Sequence, residues 1–348
     1  MRRAASQRVS RRRFLGISAA GVAAGAAGLG VRQGASAQDD GDVRVARVRC
    51  ESAVVDGFPE VSACRAMLER AAQLLRGQTL PDLLASLVAP DDVVGIKVNT
   101  LAGFELATNL EVVDALIEGL LEAGVPASNI VVWDRFEHHL ISCLYEIQRS
   151  EGGVRCYGGE SDGAVDLDPD VFYASELGDG EPSYLYRVAT QDVTKIINVP
   201  VPKDHNCSGV TGCLKNIAFG AVNNTVRFHG APHYCDPMIG EICALPALRD
   251  KVVLHVMDAL RALCDGGPTV GNPERIFEPR ELWLATDPVA ADTVALDMIN
   301  AEREASGLPP IGEAGPSPKH IETAEALGLG VSAPGASSIA YADISSEV

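Results

Sequence analysis

No two cysteines of this sequence form a C-x-x-C motif. That absence excludes a ferredoxin-type iron–sulfur site and a zinc ribbon, because both need closely spaced thiolates. We therefore expect no intrinsic iron–sulfur cluster. Some cysteines could pair as disulfides in an oxidising compartment, but their number is odd and the sequence does not give the pairing. Nine are present, at positions 50, 64, 143, 156, 207, 213, 235, 243 and 264.

Basic residues are scarce beyond the N-terminus. Residues 1–37 hold seven arginines and no acidic residue, so residues 38–348 carry 22 basic and 47 acidic residues, a formal charge of −25. Such an acidic surface repels phosphate backbones, which argues against nucleic acid or an anionic membrane as a partner. An anionic ligand would need a local basic pocket.

The chain also lacks a long, strongly apolar run. Its longest candidate, Phe14 to Val31, contains five glycines and a serine. It falls short of the roughly 20 strongly apolar residues that span a bilayer. Later apolar stretches are only strand-length, so we expect no stable membrane insertion of the mature chain.

The residues before and after the apolar run Phe14 to Val31 have the pattern of an export signal. The stretch from Ser10 to Leu15 reads S-R-R-R-F-L, and Ala35-Ser36-Ala37 closes the apolar run. A basic region, a short apolar region and an A-x-A cleavage site predict a twin-arginine signal peptide over residues 1–37. The expected partner is the twin-arginine export machinery. Cleavage near Ala37 would leave a mature chain in the periplasm or outside the cell.

Residues 38–348 are expected to form one α/β domain. Apolar runs of strand length, such as 93–98 and 130–133, alternate with segments of helical periodicity. Thr108 and Glu111 have capping-box spacing before a helix that should run to about Ala123. This order predicts a mixed, mostly parallel sheet flanked by helices. Residues 151–190 are rich in Gly, Asp, Glu and Tyr and predict an irregular or β-rich insertion.

Several polar residues follow predicted strands directly. Lys97 and Asn99 end one strand and Asp134 ends the next. Ligands of open α/β sheets bind at the carboxyl ends of strands, so we expect these three side chains to share one site. For any one of them, a loop position or a helix cap is the alternative.

The densest polar block lies between residues 203 and 216. Gly209 and Gly212 allow close backbone approach where a helix should begin, and Lys203 and Lys215 flank them. Exposed amides at a helix start, together with two lysines, predict a site for a carboxylate or phosphate. The block is not a Walker loop, because the G-x-x-x-x-G-K-[ST] spacing is absent.

Histidines occur in and after this block. His229 and His233 have H-x-x-x-H spacing, but Gly230 and Pro232 between them disfavour a helix. With Asp236 or His205 they could still converge from loops as ligands of a divalent or redox metal, and the expected metal set is His205, His229 and His233.

Four blocks in this order resemble the domain of unknown function 362 family. They are Gly95-Ile96-Lys97-Val98-Asn99, the block from Lys203 to Asn216, Asp265-Gly266-Gly267-Pro268, and the run from Asp287 to Asp292. The resemblance covers roughly residues 90–330. It implies an α/β protein, some of whose relatives carry an export signal or a fused iron–sulfur module. This chain lacks the clustered cysteines of the latter group.

We expect an exported enzyme with a Lys/His/Asn pocket for a small anionic substrate, with or without metal or redox assistance. The alternative is a non-catalytic protein that binds a small anion or a metal. The expected catalytic residues are Lys203, His205, Lys215 and Asp134. The residues expected to bind the ligand or cofactor are Lys97, Asn99, Asn216, Gly209, Thr211 and Gly212.

Overall fold

The computed structural model describes residues 42–175, 181–313 and 315–347. The predicted signal peptide lies outside these residues. Among the described residues, no helix is both long and apolar enough to cross a bilayer.

Strands and helices alternate along most of the described chain. The strands are β1 (Val45–Arg49), β2 (Val54–Val55), β3 (Phe58–Pro59), β4 (Val94–Lys97), β5 (Ile130–Phe136), β6 (Arg155–Ser161), β7 (Ala164–Val165), β8 (Leu167–Tyr173), β9 (Ser183–Tyr186), β10 (Lys195–Asn198), β11 (Lys203–His205), β12 (Gly209–Thr211), β13 (Val252–Ala259), β14 (Ala262–Leu263), β15 (Ile276–Phe277), β16 (Glu281–Ala285) and β17 (Ile339–Asp343). The α-helices are α1 (Val61–Arg76), α2 (Leu80–Leu87), α3 (Leu110–Glu122), α4 (Glu137–Ser142), α5 (Cys213–Ala221), α6 (Met238–Cys243), α7 (Pro246–Arg249), α8 (Pro288–Ala305) and α9 (His320–Ala326).

One large sheet organises the fold, with strand order β17-β1-β16-β13-β10-β4-β5-β6-β7. The central strands β13, β10, β4, β5 and β6 are parallel, whereas β16 runs antiparallel to both of its neighbours. The prediction of a mixed, mostly parallel sheet is confirmed.

Helices cover both faces of this sheet. Ile96, Val132 and Ile197 are completely buried and pack in one core with α1, α2 and α3. Their strand neighbours Trp133 and Ile196 point to the opposite face and pack with α5 and α6. Successive side chains of a strand alternate between faces, so strands covered on both sides are apolar throughout.

The insertion predicted near residues 151–190 is β-rich. β6 joins the edge of the main sheet and turns back as β7, while β8 and β9 form a separate antiparallel pair. A further small sheet, in the order β12-β11-β14-β15, carries the polar block.

The helix predicted after residue 108 is present as α3, but the capping box is wrong. The Thr108 hydroxyl donates to the Val199 carbonyl and accepts from the Asn99 amide. The N-cap position falls on Asn109, whose backbone and side-chain nitrogens both donate to Asp258. Asp258 of β13 therefore accepts the hydrogen bonds at the start of α3, in place of a residue from the helix itself.

The end of the described chain returns to the main sheet after α9. β17 follows and pairs in parallel with β1, so the two ends of the described chain meet at one edge of the main sheet. Only a long-range pairing brings this strand into the sheet.

Candidate functional site

A cavity of about 270 Å³ opens where β4 and β5 end, and we call it the lysine cavity. Both strands are parallel and adjacent, so their carboxyl ends deliver side chains to the same edge. β11 and α5 close the site. The predicted site residues that line it are Lys97, Asn99, Asp134, Lys203, Thr211, Lys215, Asn216 and His229.

The buried ion pair of Lys97 and Asp134 lies at the centre of the site. Lys97 Nζ lies 2.8 Å from Asp134 Oδ1 and also donates to the Val98 carbonyl and Asn216 Oδ1. Burial lowers the pKa of Lys97. Burial alone would raise the pKa of Asp134, but the charge and hydrogen bond of Lys97 hold it below its ordinary value. Asp134 is therefore ionised, and the pair is structural in character.

Two asparagines connect this pair to the second lysine. Asn216 Oδ1 accepts from Asn99 Nδ2 at 3.0 Å, and Asn99 Oδ1 accepts from Lys203 Nζ at 2.8 Å. Asn198 extends the network, because its Oδ1 accepts from Asn216 Nδ2 at 2.7 Å. Asn198 was not among the expected site residues, although it ends β10 as Lys97 ends β4.

Lys203 and Lys215 supply positive charge that no carboxylate neutralises. Lys203 Nζ donates only to uncharged oxygens, Asn99 Oδ1 and the Leu106 carbonyl, and burial lowers its pKa to about 7. Burial lowers the pKa of Lys215 to about 8. Lys215 Nζ lies 4.9 Å from the centre of the Phe219 ring and has no hydrogen bond or ion pair with another described residue.

The electrostatic balance of the lining favours an anion. Among the described residues that line the cavity, Asp134 is the one carboxylate, and Lys97 already pairs with it. Arg135 also lines the cavity but pairs with Glu160 at 3.1 Å. A bound anion would restore the charge of the two lysines, since opposite charge favours the protonated amine.

Of the three histidines expected as metal ligands, His229 is the one that lines the cavity. Its Nδ1 lies 3.0 Å from the carbonyl oxygen of Thr225, which can only accept a hydrogen bond. The ring proton of neutral His229 therefore sits on Nδ1, and Nε2 keeps its lone pair. Burial and the charge of Lys215 lower the pKa of His229, which favours this neutral form.

His205 has a different position from the one expected. Its Nδ1 accepts hydrogen bonds from the backbone amides of Cys207 and Ser208, at 3.0 and 3.2 Å. Burial lowers its pKa and keeps the ring neutral. His205 contacts His229, with ring centres 5.5 Å apart, but it does not line the cavity. The ring orders the turn after β11.

The metal set of His205, His229 and His233 is not assembled. Nowhere in the described ranges do three His, Cys, Asp or Glu side chains group in a way that could hold a metal ion. His233 is absent from the cavity lining. These three histidines therefore do not fit a metal centre.

The amides at the start of α5, expected to take part in the anion site, are not available to an anion, because a protein carboxylate already accepts their hydrogen bonds. The carboxylate of Asp292 on α8 accepts hydrogen bonds from the amides of Cys213 and Leu214. A Cβ on Gly212 would lie 2.2 Å from Asp292 Oδ1, so glycine is required for this approach. Gly209, at φ +77°, packs against residues 316–318 rather than the cavity.

Thr211 lines the cavity, and its buried hydroxyl oxygen has no hydrogen-bond partner among the described residues. A bound ligand could supply that partner.

Several lining residues were missed. Arg135 and Phe136 follow Asp134 directly, His139 lies in the next helix, α4, and Phe219 lies one helical turn after Lys215. The sequence did indicate Arg135 and Phe136, because residues that directly follow a functional residue at the end of a strand lie at the same edge of the sheet. His139 is half-buried in the lining.

All nine cysteines are free thiols in the structure, and eight of them are buried. The structure holds none of the disulfides that an oxidising compartment would allow.

A comparison with protein families matches residues 94–297 to the family described as Domain of unknown function (DUF362). This match covers more than half of the chain. The chain belongs to the DUF362 family. The matched region of this DUF362 protein begins at β4 and ends within α8, so it contains Lys97, Asp134, both remaining cavity lysines and Asp292.

No curated protein matches this DUF362 chain. It is similar to solved structures, among them a protein from Thermotoga maritima, with 12% identity and a TM-score of 0.41 over 72% of this chain and 60% of that one. Another is the lactate racemase apoprotein from Thermoanaerobacterium thermosaccharolyticum, with 10% identity and a TM-score of 0.42 over 76% of this chain and 59% of that one. This chain therefore spans about 60% of the length of these structures.

Proposed function

We propose that this DUF362 protein is an enzyme that acts on a small anionic substrate in the lysine cavity. The observation that carries the proposal is the convergence of Lys97, Lys203 and Lys215 on a lining with one carboxylate. The chain has six lysines in all. Half of them meet at one cavity of a strongly acidic protein, which favours selective binding of an anion there.

The cavity residues have separate roles in binding the anion, positioning side chains and transferring a proton. Lys203 and Lys215 hold the anionic group, and the hydroxyl of Thr211 donates to it. The buried pair of Lys97 and Asp134 fixes Asn216, and through it the position of Asn99. His229 accepts a proton from the substrate at Nε2, since its Nδ1 is already committed to a carbonyl.

Calorimetry with inorganic phosphate and with oxalate tests the binding half of the proposal. A hydrogen bond to a charged group contributes about 1.5–3 kcal/mol, so Lys203→Met and Lys215→Met should each weaken binding about tenfold or more. Lys319→Met, at an exposed position outside the cavity, is the matched control and should bind as the wild type does. If neither probe binds the wild type, or if the control loses binding equally, the proposal fails.

A second measurement separates an enzyme from a protein that only binds an anion. Small carboxylates and phosphate esters that bind are incubated with the protein, and their conversion is followed by NMR. His229→Gln should keep binding and lose conversion, because the amide cannot accept a proton as imidazole does. Ligands that bind and are never converted would favour the non-catalytic alternative.

We propose in addition that the chain is exported by the twin-arginine route and cleaved after Ala37. Support comes from the sequence of residues 10–37. Expression with the native N-terminus should yield periplasmic or extracellular protein that begins at Gln38. Arg11→Lys with Arg12→Lys should retain the protein in the cytoplasm, whereas Arg2→Lys with Arg3→Lys should not. Equal export of both variants would contradict the proposal.

A further inference from the structure

The three cavity lysines differ in how their amines are held. Lys97 Nζ donates to three oxygens, and Lys203 Nζ donates to two. Lys215 Nζ has neither a hydrogen bond nor an ion pair within the described residues. It rests near the face of Phe219 and lines the cavity. One amine is therefore free to move toward a ligand, while two are fixed.

From this difference we infer that Lys215 forms a covalent imine with the carbonyl carbon of a small oxo acid bound in the lysine cavity. The inference rests on the proposed function and names its substrate class. An oxo acid has two groups to be recognised, a carboxylate and a carbonyl. Lys203 is the partner for the carboxylate, because Asn99 and the Leu106 carbonyl hold its amine in place.

Burial favours the neutral amine at both Lys203 and Lys215, and what sets Lys215 apart is that no hydrogen bond within the described residues fixes its Nζ. Burial lowers its pKa to about 8, and no carboxylate pairs with it to oppose that effect. A lysine in an apolar site beside another cation is the usual setting for imine chemistry. The charge of Lys215 contributes in turn to lowering the pKa of Lys203, so the two amines lie within electrostatic reach of each other.

His229 is the group that transfers protons in this reaction. Its ring centre lies 5.3 Å from that of Phe219, the same ring that Lys215 contacts. The neutral amine attacks the carbonyl carbon, a C–N bond forms as the C=O π bond breaks, and His229 Nε2 carries one proton from the nitrogen to the oxygen to give a carbinolamine. His229 then carries the second proton of the nitrogen to the hydroxyl, the C–O bond breaks, and the hydroxyl departs as water. Amine and ketone thus give imine and water, without any oxidant or reductant.

Trapping with borohydride tests the inference directly. Wild-type protein is incubated with pyruvate, reduced with sodium borohydride and digested, and the peptides are mapped by mass spectrometry. We expect a reduced pyruvyl adduct on the peptide that contains Lys215. Acetone, a carbonyl compound with no anionic group, should give at least tenfold less adduct at the same concentration.

Two variants define the controls. Lys215→Arg keeps the positive charge without a nucleophilic amine, so it should give no adduct. Lys319→Arg removes an exposed amine and should leave the labelling of Lys215 unchanged. A urea unfolding midpoint close to that of the wild type reports that Lys215→Arg has folded.

Three results would overturn the inference. They are labelling mainly at Lys203, equal labelling of Lys215 and Lys319 in the wild type, or no adduct at Lys215. If phosphate or oxalate still binds in these cases, the anion cavity stands and only the imine fails. If no anion binds either, the proposed function fails with it.

Discussion

Lys97 and Asp134 form a buried ion pair across two neighbouring parallel strands, with Nζ and Oδ1 2.8 Å apart. Removing one partner of such a pair leaves an uncompensated buried charge, which costs about 3–5 kcal/mol. Asp134→Asn should therefore lower the free energy of unfolding by about that amount in urea titrations. Lys97→Met combined with Asp134→Leu should cost much less. Additive losses in the double variant would contradict this account.

Gly220 provides the space that Lys97 occupies. A Cβ at this position would lie 2.3 Å from Lys97 Cε, and that side chain cannot yield easily because three oxygens hold its amine. Overpacking of a buried site costs about 1–3 kcal/mol, so Gly220→Ala should destabilise the protein by that amount. It should also weaken phosphate binding. Gly230→Ala meets no atom within 4 Å and is the matched control; equal effects of the two would refute the argument.

Asp292 holds the first turn of α5 and thereby positions Lys215. Leaving a buried donor unpaired costs about 1–3 kcal/mol, and Asp292→Ala would leave the amides of Cys213 and Leu214 unpaired. We expect a loss of about 2–5 kcal/mol in urea unfolding. Asp297→Ala, at an exposed site on the same helix, should have little effect. If Asp292→Ala kept the wild-type free energy of unfolding, other groups would have to satisfy the amides of Cys213 and Leu214.

The buried Lys203 predicts an unusual response to pH. Burial lowers its pKa to about 7 in the folded protein from an ordinary value of 10.5. Between those values the unfolded chain binds more protons, so the Lys203 contribution makes stability rise with pH, by up to about 1.4 kcal/mol per unit. Anion binding should weaken over the same range as the amine loses its charge.

Urea titrations at pH 6.5, 8 and 9.5 check this expectation. Lys203→Met should lose the part of the slope that Lys203 contributes, while Lys319→Met should keep the wild-type slope. Identical slopes in the wild type and Lys203→Met would show that Lys203 keeps its ordinary pKa.

The stretch Gly159-Glu160-Ser161-Asp162-Gly163 illustrates how a local pattern misleads. Its G-x-S-x-G spacing is that of a hydrolase nucleophile, which needs a sharp turn from strand to helix. Here it spans the hairpin between β6 and β7, and Ser161 does not line the cavity. Spacing alone cannot say which element a motif belongs to.

The sequence by itself determined the alternation of strands and helices and the mostly parallel sheet. It also placed Lys97, Asn99 and Asp134 at one edge. Periodicity and chain order are enough for this, because the carboxyl ends of adjacent parallel strands share an edge whatever packs around them.

Only the tertiary structure decided which amides and lysines at this edge of the sheet are free to bind an anion. Asp292 reaches the amides of α5 from 79 residues away, so a helix start that looked ready for an anion is already filled. Lys97 is neutralised by Asp134, while Lys215 has no such partner. These outcomes depend on contacts between side chains distant in sequence, and hydrogen-bond capacity and charge are settled only when those contacts form.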